Sequence, residues 1–181
     1  MLAIIGTAGR DKTAPMTRTL WESMCTDLAL RLDPDETLVS GGAAWADHLA
    51  VWAFNNKLVS GLVLHLPAPI NTNNLQFEGG YGTSGGTCNY YHNRFSNAVG
   101  FNSIQEIVKA SYKDNCTGDV QPVANGYQAM FTRNNLIASK ATGIIAYTWG
   151  DQVSGGTKHT WDSCLCPDYN KTHVNLHALK Y

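Results

Sequence analysis

The run Thr37-Leu-Val-Ser-Gly-Gly-Ala-Ala-Trp-Ala-Asp-His-Leu-Ala50 constrains the fold more than any other stretch of the chain. Residues 37–40 form a short β-branched and apolar run that reads as a strand. Gly41 and Gly42 break it, and from Ala43 the pattern is helical, with Leu49, Trp52 and Ala53 at i, i+3 and i+4. A strand that passes through two glycines into a helix lets a ligand approach the backbone and meet the bare N–H groups of the first helical turn. That is the geometry of an anion cradle. The same residues also fit a tight strand-to-helix turn whose glycines serve packing alone. What separates the two readings is whether other turns of this kind gather beside it.

Two more do. Residues 2–5 are an apolar strand ending in Gly6-Thr-Ala-Gly-Arg-Asp11. Residues 143–149 are the most strand-like run of the chain, and Ser154-Gly-Gly-Thr157 follows closely. Helical spacing occupies residues 13–32 (Leu20, Met24, Leu28, Leu32), 103–112, 127–140 and 157–165, and further strands read at 62–66 and 172–176. Short strands alternating with helices predict right-handed βαβ units and a parallel sheet. All three glycine turns then emerge at its carboxyl edge, where such sheets bind ligands. The expected fold is α/β, a Rossmann-like three-layer sandwich with a mostly parallel sheet of about five strands, as a single domain over residues 1–181. Residues 70–126, rich in Asn, Gly, Thr, Ser and Tyr, read as a long polar and helical insertion that lies over the strand ends as a lid.

Composition removes several classes of function. A formal net charge of −1 argues against a general nucleic-acid binder. No apolar run approaches the roughly 20 residues of a membrane span. The first residues enter a strand pattern rather than a charged leader, so a cytoplasmic location is expected. The five cysteines are odd in number and irregularly spaced, which does not suit a disulfide framework. Cys164 and Cys166 lie near His159 and His173, but no second pair has zinc-ligand spacing, so no metal and no cofactor are expected.

The series Ile5-Gly-Thr-Ala-Gly-Arg10, Ser40-Gly-Gly-Ala-Ala-Trp-Ala-Asp47, Arg133-Asn-Asn135 and Ile145-Ala-Tyr-Thr-Trp149 with Gly155-Gly-Thr157 resembles the SLOG superfamily. These are Rossmann-like nucleotide-binding proteins that include the Lonely-guy cytokinin-activating phosphoribohydrolases. The resemblance covers most of the chain outside residues 70–126. It implies a nucleotide or nucleotide-derived ligand at the strand carboxyl ends, often in a homodimer. Carried over residue by residue, Gly41, Gly42 and Ala43 would cradle a phosphate, with Asp47 on the helix beyond. Gly155, Gly156 and Thr157 would form a second phosphate turn. Arg133 would supply a cation, beside Asn134 and Trp149, and Gly6, Thr7, Ala8, Gly9 and Arg10 would line the first turn.

Enzymes of that superfamily pair an arginine with a glutamate placed after a PGGxGT motif, which handles charge or a proton as the N-glycosidic bond breaks. Here the stretch is Ser154-Gly-Gly-Thr-Lys-His-Thr-Trp-Asp162. Matching Gly156-Thr157 to the GT pair puts Thr160 at the glutamate position. Matching the first glycines instead puts Asp162 there, but replaces the later glycine and threonine by Lys158 and His159. The catalytic signature is broken in either register.

Three functions remain. The first is a binding module that senses or sequesters a phosphate-containing nucleotide or nucleotide-derived signalling molecule, with Tyr81, Tyr90, Tyr91 or Phe95 available to stack on a base. The second is a nucleoside 5′-monophosphate N-glycosidase using Arg133 with Asp47, Glu78, Asp162, His92 or His159. His159 is the best placed of these, one turn into the helix after the phosphate loop. The third is a subunit of an assembly anchored by Trp45, Trp52 and Trp161, residues that pack into a core equally well.

Overall fold

The computed structural model describes residues 1–12 and 14–179. Its elements follow in the order β1 (Leu2–Gly6), α1 (Arg18–Ala29), β2 (Thr37–Ser40), α2 (His48–Asn55), β3 (Gly61–Leu66), a hairpin of β4 (Ile70–Asn71) and β5 (Gln76–Phe77), α3 (Ser84–Val99), α4 (Ser103–Ser111), β6 (Cys116–Val120), α5 (Gln128–Lys140), β7 (Gly143–Thr148), α6 (Gly155–Ser163) and β8 (Lys171–Asn175). Among the described residues the central sheet has six strands in the order β6-β3-β2-β1-β7-β8, and every neighbouring pair is parallel. The chain steps outward from β1 through β2 and β3 to β6, then returns to the other side of β1 for β7 and β8. The reversal between β1 and β7 opens a crevice at their carboxyl ends.

The strand sequences explain why both faces are covered. β3 and β7 are buried at every position, and a strand buried on both sides reads as a continuous apolar run rather than an alternating one. Ile4, Leu38, Leu62, Leu64 and Tyr147 point into one core with α1, α2, α3 and α4. Ala3, Ile5, Val39, Val63, Ile144 and Ala146 point into a second with Ile137 and Ala138 of α5 and Cys164 just past α6. The result is the α/β three-layer sandwich.

Two elements depart from the sequence reading. The sheet has six strands rather than five, because β6 lies inside the stretch read as an insertion and pairs along its length with β3. Its sequence, Cys-Thr-Gly-Asp-Val, carries no apolar run because an edge strand here leaves four of its five positions exposed. Residues 103–120 therefore form an ordinary helix-and-strand crossover, and only the hairpin and α3 extend beyond the βα pattern. The second departure is the start of α2. A single 3-10 turn, Trp45–Asp47, stands between the glycines and the helix, entered through Trp45 at a φ of 63°.

Candidate functional site

At the β1/β7 crevice lies a cleft of about 540 Å³, walled by the ends of β1, β2 and β7, by α5, by α3 and by the first turn of α6. That size suits a small-molecule ligand. The three glycine turns reach it in different chemical states.

The turn after β2 is closed from within. Arg133 of α5 is buried and donates from Nη1 to the Gly41 carbonyl at 2.8 Å. His92 of α3 is buried too, with Nε2 at 2.9 Å from the Gly42 carbonyl and Nδ1 at 2.8 Å from the Ser103 hydroxyl. A carbonyl only accepts, so the proton is assigned to Nε2 and the hydroxyl donates to Nδ1. The N–H groups of this turn already meet a carboxylate. Asp47 Oδ2 accepts from the Ala43 N–H at 3.4 Å and lies 3.8 Å from Arg133 Nη1. Burial pushes the Asp47 carboxyl up; the Arg133 charge and the N–H groups of Ala43, Gly41 and Gly6 act against that. Burial likewise lowers His92, to about 4. Gly41 is glycine for a steric reason: a Cβ there would fall 2.7 Å from the Arg133 guanidinium carbon.

The turn after β1 is also internally satisfied. The Thr7 N–H donates to the Tyr147 carbonyl at 2.9 Å, and the Gly9 N–H donates to the Thr7 hydroxyl at 3.0 Å. The third turn differs. Ser154 sits at the N-cap position of α6, but among the described residues no side chain caps this helix. Gly155 and Gly156 are exposed, and with Ser154, Thr157 and Thr160 they line the cleft. An uncapped helix start presents N–H groups and the positive end of the helix dipole.

Most of the residues read as a site do converge. Gly6, Thr7, Ala8, Arg10, Ala43, Asp47, Arg133, Asn134, Trp149, Gly155, Gly156, Thr157 and Thr160 all line the cleft. Gly9, Gly41 and Gly42 lie behind it, shaping the turns. Two catalytic candidates, Asp162 and His159, are not among the lining residues. Asp162 is half exposed and pairs with Lys158 at 2.7 Å, away from the cleft. His159 turns toward α5, with Nε2 at 2.9 Å from Asn135 Oδ1 and its ring edge-on to Phe131. Thr160 is buried against the cleft, whereas Asp162 is not.

Of the other acid/base candidates, His92 is engaged on both nitrogens, and Glu78 is not among the lining residues. Among the proposed stacking residues, Tyr91 lines the cleft, Phe95 is core, and Tyr81 and Tyr90 are exposed elsewhere. Trp45 is core as well, so it cannot anchor a partner.

Sequence reasoning missed Tyr127, Met130 and Phe131, although with Asn134 they repeat at i, i+3, i+4 and i+7 along one face of α5. That spacing was the available signal. Thr87 and Cys88 of α3 line the opposite wall, and burial raises the Cys88 thiol to about 11, which makes it a poor nucleophile at neutral pH. Among the described residues no cluster of three or more His, Cys, Asp or Glu is placed to hold a metal ion, and no helix is long and apolar enough to cross a membrane.

No family model matches the chain. The uncharacterized protein R261 of Acanthamoeba polyphaga mimivirus is 34% identical over 184 residues, an alignment that covers 97% of this chain and 95% of the viral one. Identity at that level, sustained over nearly all of both chains, places this protein in the same family as the mimivirus protein.

Proposed function

We propose that the cleft binds a phosphate-bearing nucleotide or nucleotide-derived signalling molecule and holds it without cleaving it, as a sensor or sequestering module of the SLOG type. One observation carries this reading: the uncapped, glycine-led start of α6 opens into a nucleotide-sized cleft at the switch point of a parallel sheet. Helix N-termini of this kind bind anions through N–H groups and dipole together. The Thr157 hydroxyl adds a donor beside them. Arg133, itself part of the cleft wall, supports the site by fixing the Gly41 turn. With Thr160 where the family's glutamate would stand, the α6 side of the cleft offers no carboxylate for glycosidic cleavage. The same proposal makes the protein a cytoplasmic homodimer.

The second reading, a nucleotide N-glycosidase, rests on Asp47, the one residue among the five acid/base candidates that lines the cleft. Its carboxylate is spent on the Ala43 N–H and Arg133, which leaves it poorly placed to act on a ligand.

The experiment is native mass spectrometry of protein purified from cells, with thermal-shift scans against nucleotides, cyclic dinucleotides and ADP-ribose isomers. One compound retained intact on wild type, and lost in Gly156→Glu, is the expected result. Release of a base with a ribose phosphate would transfer the function to the Asp47 reading. No shift with any compound would leave neither standing.

A further inference from the structure

At the mouth of the cleft three residues from three separate elements meet. Arg10, from the loop after β1, places its guanidinium carbon 5.2 Å from the centre of the Tyr91 ring on α3. The same carbon lies 5.1 Å from the ring of Tyr127, which precedes α5. Its Nη2 also reaches Met130 Sδ at 3.7 Å. All four residues line the cleft, and Arg10 and Tyr127 are exposed at its rim. A planar cation thus occupies a slot between two aromatic side chains belonging to opposite walls.

We propose that Tyr91 and Tyr127 are the base subsite of this cleft, and that Arg10 fills it only until a ligand arrives. The inference rests on the phosphate-binding reading and extends it by naming the ligand's other half, a nucleobase. A guanidinium and a nucleobase are alike in the respect that matters here: each is a flat π system about one atom thick that lies against aromatic rings. They differ in strength. An exposed cation–π contact is a weak interaction, whereas stacking a base on an aromatic ring is stronger and nearly indifferent to which base is present. A base therefore displaces Arg10 from the slot. Arg10 stands on the loop of the first glycine turn, beside Thr7 and Ala8, so the released guanidinium remains within the cleft, where a phosphate is its preferred partner. The arginine thereby changes from placeholder to phosphate ligand as the base enters.

The test is isothermal titration of four nucleoside monophosphates, the matching nucleosides and ribose 5-phosphate into wild type and three variants. In wild type at least one nucleoside monophosphate should bind tenfold or more tighter than ribose 5-phosphate. Tyr91→Leu and Tyr127→Leu should each lose about tenfold for that nucleotide and leave ribose 5-phosphate unchanged, an internal control that a misfolded variant cannot pass. Arg10→Ala should move two ligands in opposite directions: the nucleoside binds tighter because the slot is empty, and the nucleotide binds more weakly because a phosphate contact is gone. Equal binding of nucleotide and ribose 5-phosphate in wild type, or tyrosine variants that keep the ratio, would overturn the base subsite while leaving phosphate binding intact. Failure of every phosphate-bearing probe would overturn both.

Discussion

Two double-glycine turns at the same sheet edge, Gly41-Gly42 and Gly155-Gly156, look alike in the sequence and have opposite chemistry in the fold. After β2 the turn is sealed by its own protein: Asp47 takes the Ala43 N–H, Arg133 takes the Gly41 carbonyl and His92 takes the Gly42 carbonyl. After β7, among the described residues, no side chain caps the helix start, and its glycines face open space. A glycine pair marks where backbone can be approached; the residue a turn further on decides what approaches. Asp47 brings an internal anion to the first turn. The second has Thr160, which brings none. Breaking the sealed turn should cost stability, whereas altering the open one should cost binding.

The largest effect is expected from Arg133→Leu. The substitution leaves the Asp47 carboxylate buried beside apolar groups and the Gly41 carbonyl without its donor. Removing one member of a buried ion pair costs about 3–5 kcal/mol, so the urea midpoint should fall steeply with or without ligand. A loss below about 1 kcal/mol would mean that Arg133 does not close this turn, and its role would revert to ligand binding.

Acid should attack the same turn. Burial holds His92 at about 4 and His48 well below the ordinary 6.5, so as pH falls through 6.5 the unfolded chain takes up protons that the folded chain refuses. Stability therefore declines from pH 6.5 toward 4, and His92 alone accounts for about 3 kcal/mol across that window. Asp47, raised by burial, works in the other sense above pH 3.8, since there the folded state holds its proton more firmly. Denaturation midpoints taken from pH 7.5 to 4 should show the decline, and His92→Gln should make it shallower, leaving the part that His48 contributes. A midpoint independent of pH, or a slope untouched by the variant, would show that His92 is not held neutral by the fold.

How much of this was legible beforehand follows from which interactions are local. The parallel sheet could be read because β1, β3 and β7 are apolar enough to be buried on both faces, and the cleft's position follows from the turns at their carboxyl ends. β6 escaped because its pairing with β3 is a long-range contact that its exposed edge sequence does not announce. The sealing of the 41–43 turn escaped for the same reason. His92 and Gly42 are 50 residues apart, Arg133 and Gly41 are 92 apart, and no spacing rule connects them. His159 and Asp162 were plausible from distance along the helix, but α6 directs Thr160 inward, so they point elsewhere.

The open turn should show itself through ligand. A bound nucleotide at a hundredfold excess over its dissociation constant stabilises the fold by about 2.7 kcal/mol. Gly156→Glu places a carboxylate where the phosphate would lie and should erase that gain. The Gly156 Cβ position is unobstructed, and an acid suits the first turn of a helix. The unliganded variant should therefore melt no lower than wild type. A variant that still gains stability from the ligand would move the phosphate site away from α6.

The sharpest version of the comparison makes one substitution twice. Gly41→Ala puts a methyl 2.7 Å from the Arg133 guanidinium in a packed, charged interior, where overfilling costs about 1–3 kcal/mol. Gly156→Ala meets nothing within 4 Å, lies within α6 and has no positive φ to forbid it. Replacing a helical glycine by alanine lowers the entropy of the unfolded chain, so this variant should gain about 0.5–1 kcal/mol. The two midpoints, measured side by side without ligand, should move in opposite directions. If both fall, the start of α6 is held by contacts of its own and is not an open anion site; if both rise, the turn after β2 has room to spare and Arg133 does not lie against it.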